Sequence, residues 1–138
     1  MTPCAGVLCV SPDDRVLLLQ RSELGDAQGL WSIPGGHCKD ENESPKQCAH
    51  RELFEETGYR AGALGEPFMT RTEGEIHYTT FLFKCDEEFT PKLNHEHVAW
   101  GWFSPGDALK NAGIAPAVPG PAGEQEPKQP GEMGPVVR

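Results

Sequence analysis

The chain has 138 residues, a length that suits one domain and leaves no room for a second core of comparable volume. It carries 12 Lys and Arg against 21 Asp and Glu, which gives a formal net charge of −9. A protein with this charge repels the phosphates of a nucleic-acid backbone, which disfavours extended nucleic-acid binding. A phosphorylated ligand would need a local cation such as a metal ion.

The cysteines and the N-terminal residues predict a cytoplasmic protein. The five cysteines are odd in number and lack CxxC spacing, which is typical of a reducing compartment rather than of a disulfide framework. The first residues lack the basic segment of a signal peptide, and no apolar run approaches the ~20 residues that cross a bilayer. We therefore expect no association with a membrane.

The first half of the chain predicts a hairpin, a strand and a helix. Residues 5–10 and 15–21 are apolar, strand-like runs separated by the turn-forming sequence Ser-Pro-Asp-Asp. Residues 31–33 predict a strand that enters a tight Pro-Gly-Gly loop. A helix is predicted to open at Ser44-Pro45 and to close at Thr57-Gly58, because no Gly or Pro lies between these signals.

The second half predicts two strands, a short helix and a tail. Residues 76–85 and 98–103 are rich in β-branched and aromatic side chains, and residues 104–110 read as a short capped helix. Residues 111–138 hold six prolines, five glycines and no aromatic residue, which favours a flexible tail. We therefore predict a mixed α/β domain over residues 1–110.

The predicted helix places three carboxylates on one face. Glu52, Glu55 and Glu56 stand at i, i+3 and i+4, within an arc of roughly 100°. The same arc holds Cys48 and Ala49, small residues that we expect to point inward, whereas a solvated charged face would carry polar residues there. Three repelling carboxylates in a partly buried position predict a site for a divalent cation such as Mg²⁺ or Mn²⁺.

Two neighbouring features support a metal site. Arg51 and Glu55 form an i,i+4 pair in which the guanidinium would orient one carboxylate. The Gly35-Gly36 loop lies just upstream, and glycine permits close approach of the backbone to an ion.

The segment from Gly36 to Tyr59 resembles the Nudix box, whose pattern is G-x5-E-x7-R-E-U-x-E-E-x-G-U, where U is apolar. The match runs through Glu43 and the sequence RELFEETGY, and the one departure is six residues between Gly36 and Glu43 instead of five. The flanks RVLLLQRS, LWSIPGG and AWGWFSPGDAL also look like those of the Nudix family, so the resemblance covers about residues 3–110.

The resemblance implies an α/β/α sandwich with a mixed sheet and a loop-helix-loop catalytic segment. It also implies hydrolysis of a nucleoside diphosphate linked to another group, with Mg²⁺ or Mn²⁺ as cofactor. In this chain the metal-binding carboxylates would be those of Glu52, Glu55 and Glu56, with the Gly35 carbonyl as a further ligand. Glu43 would support the loop, and Arg51 would hold a carboxylate in place.

The family often supplies one more acidic residue from a later loop. Our candidate for this metal ligand or base is Glu96, which lies in the sequence Asn-His-Glu-His before the last predicted strand. Four other acidic residues compete with it: Glu73, Glu75, Glu87 and Glu88. The HEH sequence lacks the HExxH spacing of zinc enzymes and does not predict a zinc site.

Substrate contacts are assigned by residue type alone. Arg21 and Arg71 are candidates for binding phosphates, and Tyr78 is the candidate for stacking on a base. Trp31 and Phe68 offer the same chemistry, although a small β-rich domain needs most of its aromatic residues for packing.

The predicted function is metal-dependent hydrolysis of a pyrophosphate bond in a small phosphorylated nucleotide. The alternatives are a pyrophosphohydrolase of RNA 5′ ends and a noncatalytic nucleotide-binding module. Three mutually repelling carboxylates argue against the module, and the acidic charge argues against long RNA contacts. A homodimer is left open as the assembly.

Overall fold

The computed structural model describes residues 1–22 and 29–111, and in these residues it has seven strands and two helices. In chain order the elements are β1 (Thr2–Val10), β2 (Val16–Arg21), β3 (Trp31–Ser32), β4 (Gly35–His37), α1 (Pro45–Thr57), β5 (Met69–Glu73), β6 (Ile76–Lys84), β7 (His97–Phe103) and α2 (Pro105–Asn111). The predicted tail lies outside the described residues, apart from Asn111 at the end of α2.

The strands form one mixed sheet in which β1 and β2 each have their own partners. β1 pairs with β4 antiparallel and with β6 parallel, and β6 pairs in turn with β5. β2 pairs with β3 and β7, both antiparallel. The predicted hairpin is confirmed, but β1 and β2 pair only at Val10 and Val16, beside the turn.

The two helices cover opposite faces of the sheet. Successive side chains of a strand point to opposite faces, and in β2 the side chains of Leu17 and Leu19 enter one core cluster whereas that of Leu18 enters the other. The first cluster includes Leu53 of α1, and the second includes Ala108 of α2. The predicted α/β/α sandwich is therefore confirmed.

Helix α1 begins and ends where the sequence predicts. The hydroxyl of Ser44 accepts a hydrogen bond from the Gln47 backbone N–H, and the Gln47 side chain accepts one from the Ser44 N–H, which completes a capping box. Pro45 occupies the first turn, where it removes no helical hydrogen bond. Gly58 ends the helix with a φ of 78°, a left-handed conformation that glycine adopts without strain.

Two strands differ from the prediction. The segment predicted as a tight loop forms strand β4, with Gly35 opposite Gly6 of β1. A Cβ on Gly35 would lie 2.7 Å from the Ala5 carbonyl oxygen, so the glycine that resembles a turn signal permits close strand pairing instead. Strand β5 carries almost wholly exposed side chains and lacks the apolar alternation from which a strand is predicted.

Over residues 1–22 and 29–111, neither helix is long and apolar enough to span a bilayer.

Candidate active site

The carboxylates of α1 differ in burial. Glu52 and Glu56 face the sheet with exposed fractions of 9% and 2%. The Glu55 side chain is 49% exposed, so it lies at the solvent edge of the same helix face. The sequence-predicted arc is thus divided into two buried carboxylates and one exposed carboxylate.

The backbone of β4 contacts both buried carboxylates. The Gly35 N–H donates a hydrogen bond to Glu56 Oε1 at 3.0 Å. A Cβ on Gly36 would lie 2.8 Å from the Glu52 carboxyl carbon, so the missing side chain makes room for this carboxylate. Gly35 and Gly36 therefore position the carboxylates of Glu56 and Glu52 beside the sheet.

Burial changes the protonation of this pair. Burial, with the nearby Glu52 carboxylate as a further cause, raises the pKa of Glu56 well above its usual range. Burial also raises the pKa of Glu52, although the Arg51 guanidinium opposes this shift. Because the two carboxyl groups are adjacent and buried, ionising both of them is unfavourable. A bound cation would favour ionisation of both groups and would replace the proton.

Arg51 connects the loop before α1 to the carboxylates on the helix. Its guanidinium donates two hydrogen bonds to Glu43, at 2.7 and 2.9 Å, and one to the His37 carbonyl oxygen at 3.0 Å. It also donates to Glu52 at 3.2 Å and to Glu55 at 3.1 Å, which confirms the predicted i,i+4 ion pair. The hydrogen bonds from Arg51 lower the pKa of Glu43 to about 2.

The extra residue between Gly36 and Glu43 is absorbed in a turn. The Glu43 N–H donates to the Asp40 carbonyl oxygen at 3.1 Å, and the Asn42 N–H donates to the Asp40 side chain at 2.8 Å. Glu43 Oε1 also accepts from the Lys39 N–H at 2.8 Å. The longer loop therefore still delivers Glu43 to Arg51.

A disulfide joins this loop to α1, and it corrects the expectation that all five cysteines are reduced. Cys38 and Cys48 are bonded, with a Cα–Cα distance of 5.2 Å. The other three cysteines are free and buried: Cys4, Cys9 and Cys85. The spacing of Cys38 and Cys48 carried no signal, because the loop fold that brings them together depends on the tertiary contacts of Arg51.

Glu96 lies near Glu56 of α1, together with His97, a residue that was not predicted to be part of the site. In the described part of the chain, one ligand atom each from Glu56, Glu96 and His97 lie within 4.8 Å of one another. A second such group contains Cys38, Cys48 and Glu43, but its two sulfurs are in the disulfide. The carboxylates of Glu52 and Glu55 belong to neither group.

His97 is the first residue of β7 and is almost fully buried, with an exposed fraction of 4%. Burial, and then the positive charge of Arg21, lower the pKa of His97 to about 4, so its ring is neutral. No sequence signal marked His97 for the site, because alternation along the strand would place the apolar Val98 inward, whereas the structure exposes Val98 and buries His97.

The acidic residues that compete with Glu96 lie elsewhere. Glu88 accepts hydrogen bonds from Arg15 and Ser11 at the β1–β2 turn. Glu73 ends β5 and Glu75 follows it, and a Glu75 oxygen lies 3.9 Å from the N-terminal amine. Glu87 is exposed and outside both groups of potential ligands in the described residues.

Three predicted substrate contacts lie on strands of the sheet: Arg21 on β2, Arg71 on β5 and Tyr78 on β6. The Tyr78 hydroxyl packs over Gly6 and Gly35, and its burial, followed by the charge of Glu56, raises the pKa of Tyr78 above its usual range. Arg71 is exposed on β5 directly opposite Tyr78, so both side chains lie on one face of the sheet. Arg21 pairs with His97 across β2 and β7.

The two other aromatic candidates differ in environment. Trp31 is buried and makes an edge-to-face contact with Phe103, with ring centroids 5.3 Å apart, so it serves the core. Phe68 is 54% exposed.

Comparisons with known proteins place this geometry in a family. The model of the NUDIX domain matches residues 1–121. A CTP pyrophosphohydrolase of Escherichia coli (strain K12) is 34% identical over 110 residues, which cover 78% of this chain and 79% of that protein. An RNA pyrophosphohydrolase of Sphingopyxis alaskensis is 38% identical over 76 residues, but the match covers 55% of this chain and only 45% of that protein.

A solved structure agrees with the sequence matches. The crystal structure of an Ap4A hydrolase of C. elegans, in a binary complex, aligns with a TM-score of 0.69 and 29% identity, over 82% of this chain and 88% of that one. The resemblance of the Gly36 to Tyr59 segment to the Nudix box thus extends to the whole described fold. The chain belongs to the NUDIX domain family and is a pyrophosphate hydrolase.

Proposed function

We propose that this chain hydrolyses a small nucleoside polyphosphate with the help of a divalent ion bound at Glu56 and its neighbours. The observation that carries the proposal is the burial of two carboxylates, Glu52 and Glu56, against the glycine backbone of β4, with Glu96 close to Glu56. The donor set fits Mg²⁺ or Mn²⁺, because carboxylate oxygens are the ligands that these ions prefer.

The proposed ligands are those that the Nudix resemblance implies. Glu52, Glu55, Glu56 and the Gly35 carbonyl would hold the ion, and Glu96 would complete the group as a ligand or as the base for the attacking water. When bound, the ion neutralises phosphate oxygens and lowers the pKa of a water molecule. The water oxygen would bond to phosphorus as a carboxylate such as that of Glu96 takes its proton, and the anhydride bond would break with its electron pair going to the leaving phosphate oxygen.

Arg51 acts as a positioning residue. Its guanidinium holds Glu43, Glu52 and Glu55 at hydrogen-bond distance, so the loop and the helix keep one arrangement. Arg21, Arg71 and Tyr78 would meet the phosphates and base of the substrate.

The substrate class is tested with a panel of nucleotides. We expect nucleoside triphosphates or dinucleoside polyphosphates to be cleaved with Mg²⁺ or Mn²⁺, and product analysis would identify the phosphorus attacked. Faster cleavage of triphosphorylated RNA would instead favour the RNA 5′-end alternative, which the name of the Sphingopyxis relative suggests. Absence of turnover in the presence of bound metal would favour a binding module.

The site is tested by Glu→Gln variants. Glu56→Gln and Glu55→Gln should each lower kcat by about 100-fold or more, since general-base and metal-binding roles contribute at least that much. Glu66→Gln removes an exposed carboxylate outside the site and serves as the matched control. Full activity in both site variants would show that the assignment is wrong.

Location and assembly stay predictions. A cytoplasmic location would be tested by fractionation, and a homodimer by the mass of the protein in solution.

A further inference from the structure

His97 is a buried polar side chain without a visible partner. Its exposed fraction is 4%, and in the described residues neither Nδ1 nor Nε2 makes a hydrogen bond. Leaving a buried donor or acceptor unpaired costs about 1–3 kcal/mol, so such a group calls for a physical reason. A ring that only filled space would be better replaced by an apolar side chain.

The surroundings of the ring point to a cation. A ring nitrogen of His97 and carboxylate oxygens of Glu56 and Glu96 lie within 4.8 Å of one another. Around an ion with bonds of about 2.1 Å, neighbouring ligand atoms lie roughly 3–4 Å apart, so a small contraction would bring the three to one centre. A neutral imidazole offers one nitrogen lone pair, and each ionised carboxylate offers oxygen lone pairs, so one cation can be bound by all three groups.

We propose that His97 supplies a nitrogen ligand to the ion bound by Glu56 and Glu96, and that the site therefore takes Mn²⁺ in preference to Mg²⁺. The inference rests on the proposed function only in that Glu56 and Glu96 hold a metal. Mg²⁺ strongly prefers oxygen ligands, whereas imidazole suits transition-metal ions. A nitrogen ligand in an otherwise carboxylate site thus shifts selectivity between the two ions.

The first test uses the wild-type protein with Mn²⁺ alone. Pulsed electron paramagnetic resonance is recorded on protein with natural histidine and on protein labelled with ¹⁵N-histidine. We expect modulation from a bound ¹⁴N nucleus, replaced by a ¹⁵N pattern after labelling. Bound Mn²⁺ without a histidine nitrogen signal would overturn this inference and leave the proposed function intact. If no Mn²⁺ binds, the proposed metal site fails as well.

The second test assigns the nitrogen to one histidine. His97→Leu has a side chain of similar volume without nitrogen, and His95→Leu, at an exposed position two residues earlier, is the matched control. We expect His97→Leu to lose the nitrogen signal and to weaken Mn²⁺ binding on the order of tenfold or more. Its Mg²⁺ affinity, measured by displacement of Mn²⁺, should change by less than about threefold because oxygen ligands dominate Mg²⁺ binding.

Thermal unfolding without metal separates ligation from packing. Because His97→Leu removes two unpaired polar atoms, its melting temperature should equal or exceed that of the wild type. A lower melting temperature with unchanged Mn²⁺ affinity would assign His97 to packing and overturn the inference. If the variant does not fold, the ¹⁵N-histidine spectrum of the wild type still decides.

Discussion

Glu56 keeps its carboxyl group almost fully buried while Glu52 and Glu96 act on it electrostatically. Burial and repulsion both favour the protonated form, so the metal-free site holds a proton at neutral pH more readily than an isolated glutamate would. Stability from this group is present at low pH and is lost as the pH rises through its raised pKa. A divalent ion reverses this loss, which couples metal binding to proton release.

Glu43 has the opposite shift, since hydrogen bonds from Arg51 lower its pKa from 4.5 to about 2. Its stabilising effect is therefore complete above pH 4.5 and disappears as the pH falls through 2. We expect Glu43→Gln to lower the free energy of unfolding by about 1–3 kcal/mol at pH 7.

Denaturant unfolding of wild type and Glu43→Gln at several pH values between about 6 and 3 checks this expectation. The difference between the two proteins should shrink as the pH falls, because protonated glutamate resembles glutamine. A constant difference would mean that Glu43 stabilises the loop without its charge. Glu41→Gln, an exposed loop position, is the control.

Gly35 and Gly36 are adjacent, yet alanine should affect them differently. A Cβ on Gly36 would meet the movable end of the Glu52 side chain at 2.8 Å, whereas on Gly35 it would meet the Gly6 Cα at 2.8 Å. Gly36→Ala should therefore weaken metal binding with little loss of stability. Gly35→Ala should destabilise the fold by about 1–3 kcal/mol or more, because backbone must move.

Metal titration and thermal unfolding of both variants separate the two effects. If Gly36→Ala binds metal with the same affinity as the wild type, the space that Gly36 leaves for the Glu52 carboxylate is not needed for metal binding.

At the scale of elements, the disulfide ties the loop of residues 38–43 to α1, which carries the candidate metal-binding carboxylates. Closing a loop of this size stabilises a protein by about 2–4 kcal/mol in the chain-entropy model. We expect a reductant to lower the melting temperature of the wild type by several degrees.

The double variant Cys38→Ala/Cys48→Ala provides the control. It should melt below the oxidised wild type and should not respond to reductant. An equal response in both proteins would mean that the reductant does not act through the Cys38–Cys48 bond.

Elements with strong local signals were predictable from the sequence. Helix α1 carries its own caps at Ser44 and Gly58, and the apolar run of β2 predicts a buried strand. Strand β4 was not predictable, because its pairing depends on β1 and on the space that Gly6 leaves. Local sequence describes propensity, whereas such pairing is decided by tertiary contacts.

In the candidate site, too, local spacing predicted some contacts and tertiary pairing decided the others. The spacing of Glu52 and Glu56 placed both carboxylates on one helix face, and Arg51 with Glu55 followed from i,i+4 geometry. His97 lies near Glu56 because β7 pairs with β2 and α1 packs on the sheet. The spacing of residues along the helix could not predict this contact. The Cys38–Cys48 bond likewise depends on a turn around Asp40.

At the scale of the whole molecule, the net charge of −9 limits how the substrate can be held. Two candidate phosphate-binding cations lie on strands of the sheet in an acidic chain: Arg21 on β2, opposite His97, and Arg71 on β5, opposite Tyr78. Each phosphate contact adds about 0.7–0.9 to the slope of log affinity against log salt. A small nucleotide held by two arginines should therefore show a shallow salt dependence.

With two phosphate contacts, we expect KM for the preferred nucleotide to rise by about tenfold between roughly 50 and 200 mM salt, at saturating metal. A single-stranded RNA with six or more phosphate contacts would lose roughly three hundredfold or more in affinity over the same range. Steady-state kinetics with a nucleoside triphosphate and with triphosphorylated RNA, each in wild type and Arg71→Gln, distinguish these cases. For the true substrate, Arg71→Gln should reduce the slope of log affinity against log salt by about 0.7–0.9, the value of one phosphate contact. A steep fall of RNA affinity with salt, reduced in Arg71→Gln, would contradict a small-nucleotide substrate. It would mean that several cations of this acidic chain contact the RNA backbone.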